Sequence, residues 1–167
     1  PVGICGSGLL DIVAYLLNEK ILDEMGTMDE KQCSNVDDDI AYPITADIYI
    51  SQRDIREIQL AKSAVAAGIA VLIQKAGITY SDIDKVYLAG GFGSYLDVKS
   101  AAAIGLIPKE LKQKCISAGN TAGMGSISIL LDDQLRKSLD KLTKTVNYIE
   151  LSLDAEFNNL FTDNMLF

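Results

Sequence analysis

The sequence contains no histidine and no tryptophan among its 167 residues. Without histidine, neither a Ser-His-Asp nor a Cys-His catalytic site can be built, and no imidazole can bind a metal. The three cysteines, Cys5, Cys33 and Cys115, are far apart, odd in number and without a C-x-x-C pair. This pattern predicts reduced thiols in a cytoplasmic protein. Any chemistry must rest on carboxylates, hydroxyls, backbone amides or a thiol, and we predict neither a metal site nor a catalytic residue.

Basic residues are also scarce, with 15 Lys and Arg against 23 Asp and Glu and a net charge of −8. Nucleic-acid backbones and anionic membranes bind clustered basic side chains, so we predict neither as a partner. No continuous apolar run approaches the roughly 18 residues of a membrane span. The apolar N-terminus lacks a basic region and is interrupted by Asp11, so we do not interpret it as a signal peptide.

The length fits one domain, residues 1–167, with a sizeable core. The chain starts with Pro1 and opens directly onto a glycine loop. We therefore expect it to be a piece of a longer protein.

Residues 86–97 combine a short apolar run with a glycine-rich turn. Residues 86–89 form a short apolar run that is typical of a buried strand. A turn follows that consists of Gly90, Gly91, Phe92 and Gly93. Glycines let a ligand approach the backbone closely, and a strand ending in such a turn is where open α/β sheets bind nucleotides. The spacing is neither GxGxxG nor the P-loop pattern, so a ligand-binding turn and a tight turn without ligand both stay open.

A second glycine loop lies at the start of the chain and offers Gly6, Ser7 and Gly8 as candidate anion ligands. Apolar residues follow at helical spacing over 9–17, which predicts a helix with Ser7 as its N-cap. The free N–H groups of a glycine loop that opens a helix can bind an anion. The alternative is a capped helix packed closely on a sheet. We expect Cys5 to be a small buried side chain rather than an activated thiol.

The longest predicted helix runs over 53–76, with a capping-box spacing between Ser51 and Asp54 and a stop at Gly77. Gln52, Arg53 and Asp54 lie where a strand over 48–51 meets this helix. They either face a ligand cleft or serve in capping and surface ion pairs. The predicted buried face consists of Ile55, Ile58, Ala61, Val65, Ile69, Leu72 and Ile73.

Strands predicted over 48–51, 86–89, 116–118 and 148–153 alternate with helices, which indicates an α/β layered fold. Residues 24–41 are polar and predict an exposed loop. The run Asp37-Asp38-Asp39 in this loop lacks the spacing of a calcium-binding EF-hand. Residues 122–142 predict one helix.

Several phrases resemble the C-terminal part of reductive activators of corrinoid proteins. These activators belong to the acetate kinase, sugar kinase, heat-shock chaperone and actin superfamily. The phrases are Gly3-Ile4-Cys5-Gly6-Ser7-Gly8-Leu9-Leu10-Asp11, Gln52-Arg53-Asp54-Ile55-Arg56-Glu57-Ile58-Gln59-Leu60-Ala61-Lys62, Val86 to Asp97, Ile104-Gly105-Leu106-Ile107-Pro108 and Ala118-Gly119-Asn120. The resemblance extends over nearly the whole chain. It implies a ribonuclease H-like, actin-like ATPase lobe that is incomplete in this chain.

The resemblance implies an ATPase that helps a 2Fe–2S protein return cob(II)alamin to cob(I)alamin on corrinoid methyl-transfer proteins. Its adenosine motif corresponds to Gly90, Gly91 and Phe92. The superfamily's Asp-x-Gly-Thr or Asp-x-Gly-Gly phosphate motif and the family's four cluster cysteines do not occur in this sequence. We therefore expect ATP and magnesium as cofactors of a full-length parent and the 2Fe–2S cluster in an upstream domain. The chain alone should lack ATPase and redox activity.

Our interpretation is half of a nucleotide-binding lobe, with a corrinoid protein of a methyl-transfer system as its partner. Two alternatives stay open, a non-catalytic interaction module with the same fold and a fragment of a small-molecule kinase. ATP binding by the longer parent distinguishes the activator from the interaction module. Cysteines and a phosphate motif upstream of residue 1 would distinguish it from a kinase. Whether the protein forms a homo-oligomer stays open as well.

Overall fold

A computed structural model describes residues 2–167. The helices in this range are α1 (Gly6–Asn18), α2 (Gln52–Lys75), α3 (Gly90–Ser94), α4 (Val98–Ala103), α5 (Thr121–Leu131), α6 (Asp133–Leu142) and α7 (Ala155–Asp163). The strands are β1 (Ser34–Val36), β2 (Asp39–Pro43), β3 (Tyr49–Ser51), β4 (Val86–Ala89) and β5 (Cys115–Gly119). Short 3-10 helices lie at Tyr80–Asp82, Lys109–Lys114 and Leu151–Leu153. The chain is therefore a mixed α/β fold, as predicted.

The first helix confirms its predicted periodicity, because Leu10, Val13 and Leu16 form its buried face. Its N-cap is Cys5, without a side-chain capping hydrogen bond, and Ser7 is the second residue of the helix. The prediction that Ser7 is the N-cap is therefore wrong. Burial of Cys5 is also wrong, since this side chain is exposed. Cys5 precedes the first turn, before the helix reaches the core.

The predicted loop over 24–41 is partly wrong, because its second half belongs to a β-hairpin. Strands β1 and β2 pair antiparallel, and β3 joins the other side of β2. Asp37 and Asp38 form the two-residue turn with φ angles of 50° and 61°. Aspartate tolerates this left-handed region better than most residues, which suits a tight hairpin turn. Strands of three and five residues are too short for their alternation to be recognised.

Both predicted ends of α2 are confirmed. The Asp54 backbone N–H donates to Ser51 Oγ at 3.2 Å, and the Ser51 N–H donates to Asp54 Oδ2 at 2.8 Å. This is a complete capping box. After Lys75, Gly77 takes a φ of +67°, as a glycine beyond a helix end commonly does.

The predicted buried face of α2 is correct only in its first turns. Ile55 and Ile58 are buried, but Ala61 is exposed and Val65 and Leu72 are 47% and 50% exposed. The helix instead buries a neighbouring face against α7 and the C-terminal tail. Its buried members beyond the first turns are Gln59, Lys62, Ser63, Ala66, Ala67, Gly68 and Val71.

Three polar side chains on this face bind backbone carbonyls of the last residues of the chain. Gln59 donates to Met165 O at 3.0 Å, Lys62 donates to Leu166 O, and Ser63 donates to Phe161 O. The partners lie about 100 positions away in sequence. Hydrogen bonding of this kind makes burial of polar groups tolerable. No apolar pattern in the local sequence could indicate that these three polar side chains are buried.

The predicted strands over 86–89 and 116–118 are confirmed as β4 and β5, which pair in parallel. The strand predicted over 148–153 is wrong, because Leu151–Leu153 form a 3-10 helix. Asp154 then caps α7 and forms an ion pair with Lys75 at 2.7 Å. This segment brings α7 onto α2 instead of extending a sheet.

The single helix predicted over 122–142 is in fact two helices. Asp132 lies between α5 and α6 with an extended backbone, φ −137° and ψ 109°. Its carboxylate accepts from the N–H groups of Gln134 and Leu135, at 2.7 and 3.4 Å. An aspartate that caps a new helix also interrupts the previous one.

By length and composition α2 is the one described helix that could cross a membrane. Within its most apolar 18-residue window, 44% of the residues are buried inside the fold. Core helices often pass the same test, so this is weak evidence for a membrane span.

Candidate functional site

The two glycine segments identified in the sequence lie against each other. The Phe92 ring packs so closely on Gly6 that a β-carbon there would lie 3.0 Å from Phe92 Cε2. A contact this short is tighter than most real β-carbon contacts, so a side chain at position 6 would push the Phe92 ring back by a few tenths of an ångström. The start of α1 and the turn after β4 therefore form one site, although Gly6 and Phe92 are 86 residues apart.

The glycines of the turn differ in what the fold requires of them. Gly90 has a φ of +89°, which disfavours other residues. Gly93 is buried, and a β-carbon there would lie 3.2 Å from the Leu88 carbonyl carbon. A β-carbon on Gly91 would meet no atom within 4 Å, and Gly91 has no positive φ. Since glycine also weakens a helix, the described fold gives no reason for Gly91.

A cavity of about 350 Å³ opens beside this contact, between α1, α2 and α3. Its volume lies at the lower end of the range of small-molecule sites. The lining is mainly apolar and consists of Gly6, Leu9, Leu10, Asp54, Glu57, Ile58, Ala61, Lys62, Val65, Phe92 and Leu106. Three of the predicted site residues, Gly6, Asp54 and Phe92, therefore meet around one cavity.

The charged groups of this cavity are two carboxylates and one ammonium. Asp54 and Glu57 are exposed, whereas Lys62 is only 2% exposed. Burial lowers the pKa of Lys62 from 10.5 to about 8. Its Nζ lies 5.3 Å from the centre of the Phe167 ring and donates to Leu166 O, and both contacts favour the charged form.

Gln52 and Arg53 do not line this cavity. The Gln52 side chain accepts from Met28 N at 2.9 Å and donates to Gly26 O at 2.6 Å, so it fixes the loop before the hairpin. Arg53 is exposed, with its Nε 3.8 Å from Asp39 Oδ2. Asp54 forms the capping box of α2 in addition to lining the cavity. Capping, loop fixation and a surface ion pair account for these contacts. A ligand role for Gln52, Arg53 and Asp54 stays a prediction.

The N-terminal loop presents an exposed thiol beside the half-buried Ser7 and Gly8. The pKa of Cys5 is lowered chiefly by the Ser7 hydroxyl, 3.5 Å from the sulfur, and then by the Gly8 amide. Helix α1 has 13 residues and no side-chain cap, so its first N–H groups favour an anion. The anion site at Gly6, Ser7 and Gly8 stays a prediction.

Sequence reasoning missed Glu57, Lys62 and Leu106 as cavity residues. Glu57 lies three positions after Asp54, on the same face of α2, and that spacing could have identified it. Lys62 and Leu106 carried no such signal, since their positions depend on the docked C-terminal tail and on α4. Among residues 2–167 no cluster of three or more Cys, Asp and Glu side chains could hold a metal ion.

Comparison with known proteins gives consistent matches over the whole chain. Residues 1–167 match the family described as the C-terminal domain of RACo, the ASKHA domain. The chain is 33% identical to the corrinoid activation enzyme RamQ of Eubacterium limosum, over 99% of this chain and 32% of that protein. It is 24% identical to the Co(II) methylated amine-specific corrinoid protein reductase of Methanosarcina barkeri, over 96% of this chain and 28% of that protein.

A solved structure described as a reductive activator for corrinoid, iron-sulfur protein superposes on the chain with a TM-score of 0.91 and 31% identity. The superposition covers 99% of this chain and 28% of that one. The chain thus spans about a third of the length of the curated relatives it matches.

Proposed function

The chain belongs to the family of C-terminal ASKHA domains of reductive activators of corrinoid proteins, and from this premise we propose that it supplies the adenosine side of an ATP site in a longer activator. ASKHA domains have the actin-like fold. The proposal is supported above all by Gly91, a glycine that neither backbone angle nor packing requires. A ligand lying against the bare backbone at this position would explain it.

The charges around the cavity suit the nucleoside better than the phosphates. The exposed carboxylates of Asp54 and Glu57 would repel a triphosphate at close range but accept hydrogen bonds from ribose hydroxyls. The apolar lining and the Phe92 ring suit a flat base. Gly6, Ser7 and Gly8, at the N-terminus of α1, are the groups of this site that suit a phosphate.

The remaining chemistry belongs, in this proposal, to other parts of the longer protein. The ligands of magnesium, the groups for ATP hydrolysis and a 2Fe–2S domain would precede this chain. Its partner would be a corrinoid protein of a methyl-transfer system in the cytoplasm. The longer protein would help to return the cob(II)alamin of that partner to cob(I)alamin. The relatives, a corrinoid activation enzyme and a corrinoid protein reductase, support this assignment.

Neutralising Glu57 tests the position of the ribose. In the longer protein we expect Glu57→Gln to weaken ATP binding at least about tenfold, because a hydrogen bond to a charged group contributes roughly 1.5–3 kcal/mol. Binding is measured by calorimetric titration of ATP. Glu110→Gln is the matched control, since Glu110 is exposed and lies outside the cavity.

Equal ATP affinity in the Glu57 variant and its control would place the ribose elsewhere. Absence of ATP binding by the unmodified longer protein would instead favour the non-catalytic interaction module.

A further inference from the structure

Lys62 connects the candidate nucleotide cavity with the C-terminal tail. Its side chain lines the cavity, yet it is only 2% exposed. Its amine donates to Leu166 O and lies 5.3 Å from the centre of the Phe167 ring. A β-carbon on Gly105 would lie 3.3 Å from Nζ, so the turn after α4 also borders the amine. The partners that hold this charge in place therefore belong to the tail.

The tail, residues 164–167 after α7, is fixed to the fold largely through its backbone. Gln59 donates to Met165 O at 3.0 Å, and the Phe167 N–H donates to Glu24 O at 2.9 Å. The Leu166 side chain is 55% exposed, whereas Phe167 packs its ring against the hydrophobic core. Segments with few buried apolar contacts open at a lower free energy than the core. We therefore expect the tail to detach while the rest of the domain stays folded.

Detachment of the tail would remove both partners of the Lys62 ammonium. An unpaired buried charge is unfavourable, so the flexible side chain would turn towards another acceptor. The carboxylates of Asp54 and Glu57 line the same cavity, and in the described structure neither forms an ion pair with Lys62. An ammonium that pairs with them would occupy the oxygen atoms that a ribose needs as acceptors.

We propose that the docked tail keeps the cavity free for a nucleoside by holding the Lys62 amine at Leu166 O. When the tail detaches, the amine enters the cavity and competes with the nucleotide. Lys62 is thus a positioning residue, and docking of the tail and binding of the nucleotide favour each other. This inference rests on the proposed function, because it concerns the regulation of the same cavity.

The test is a double-mutant cycle in the longer protein, measured by calorimetric titration of ATP. Phe167→Ala weakens docking of the tail and should lower ATP affinity at least about fivefold, the lower end of ordinary coupling between sites. In a Lys62→Met background the same change should lower ATP affinity less than about twofold, because no amine is released.

Leu166→Ala is the matched control on the same tail. Its side chain is exposed, and the acceptor for Lys62 is the backbone carbonyl, which alanine keeps. We expect this variant to bind ATP within about twofold of the unmodified protein, as for a site that is not coupled.

The outcomes separate this inference from the function on which it rests. Equal losses of affinity from Phe167→Ala in the two backgrounds would show a purely structural tail and overturn the inference, while the ATP site would stand. No loss from Phe167→Ala would overturn it as well. Absence of ATP binding by the unmodified longer protein would overturn both proposals.

Hydrogen exchange measures the same coupling without a substitution, and it decides the matter if Phe167→Ala does not fold. Because coupling is reciprocal, saturating ATP should slow exchange of the Phe167 amide at least about fivefold. The Lys144 amide, which donates to Lys141 O at a helix end outside the cavity, is the reference. A Phe167 amide that ATP slows no more than this reference would overturn the inference.

Discussion

Lys62 is the residue whose surroundings suit its charge least. It is buried, has no carboxylate partner among the ion pairs of residues 2–167, and donates to the Leu166 carbonyl. Its pKa in the fold is about 8, whereas its ordinary value is 10.5. Between these values the unfolded chain binds the proton and the fold does not, so stability rises with pH in this window. Below about pH 8 both states are charged and this gain is absent.

We expect the stability of the unmodified chain, relative to Lys62→Met, to increase from about pH 8 to about pH 10.5. Methionine has a similar length and no titrating group. The measurement is urea unfolding of both proteins at several pH values, and the difference cancels the titration of tyrosines and cysteines. A difference that does not change with pH would show that Lys62 keeps its ordinary pKa.

The three thiols differ enough in their surroundings to be ranked by reactivity. Cys5 is exposed with a lowered pKa, whereas burial raises the pKa of Cys33 and Cys115. Because the thiolate is the nucleophile, iodoacetamide near neutral pH should modify Cys5 first. Peptide mass spectrometry after short labelling measures the order. Ser7→Ala should slow labelling of Cys5 alone, and equal rates at all three cysteines would contradict the ranking.

At the scale of elements, the start of α2 depends on its capping box. Removing the Ser51 hydroxyl leaves an N–H of the first turn without its acceptor. We expect Ser51→Ala to lower the free energy of unfolding by about 1 kcal/mol. Ser51→Thr keeps the hydroxyl and should cost less, and chemical denaturation measures both. A Thr variant as unstable as the Ala variant would assign the loss to something other than the cap.

The ends of α2 and the position of β4 were predictable because their causes are local. Ser51 and Asp54 cap α2, Gly77 follows its end, and the apolar run over 86–89 became β4. The buried face of α2 was not predictable, because apolar spacing identifies an apolar surface but not what covers it. Val65 and Leu72 fit the spacing, yet they line an open groove of about 550 Å³ beside β4.

Two further errors, in the burial of α2 and in the segment over 148–153, share this non-local origin. Gln59 and Lys62 are polar, but the C-terminal tail, about 100 residues away, makes their burial favourable. The apolar residues over 148–153 suggested a strand, but Leu151–Leu153 form a 3-10 helix that leads into α7, which packs on α2. The sequence identified Gly6 and Phe92 as candidate site residues. Only the fold shows that the two are in contact and that the described structure gives Gly91 no reason to be glycine.

At the scale of the whole molecule, the account depends on nucleotide binding at the turn after β4. The Gly91→Val variant in the longer protein tests it. A β-carbon at position 91 would extend into open space, and the backbone there has no positive φ, so the fold itself should tolerate the change. Gly90→Ala is the control for backbone strain, since Gly90 has a φ of +89°. Forcing a side chain into that conformation should cost roughly 1–2 kcal/mol of stability.

The decisive measurement is an ATP titration of the Gly91→Val protein beside its melting curve. We predict that ATP affinity falls by at least about tenfold, roughly 1.4 kcal/mol. The melting temperature should change less than in Gly90→Ala, because the new side chain would clash with the nucleotide and not with the fold. Unchanged ATP affinity in a well-folded Gly91→Val protein would contradict the account and leave these glycines as a structural turn.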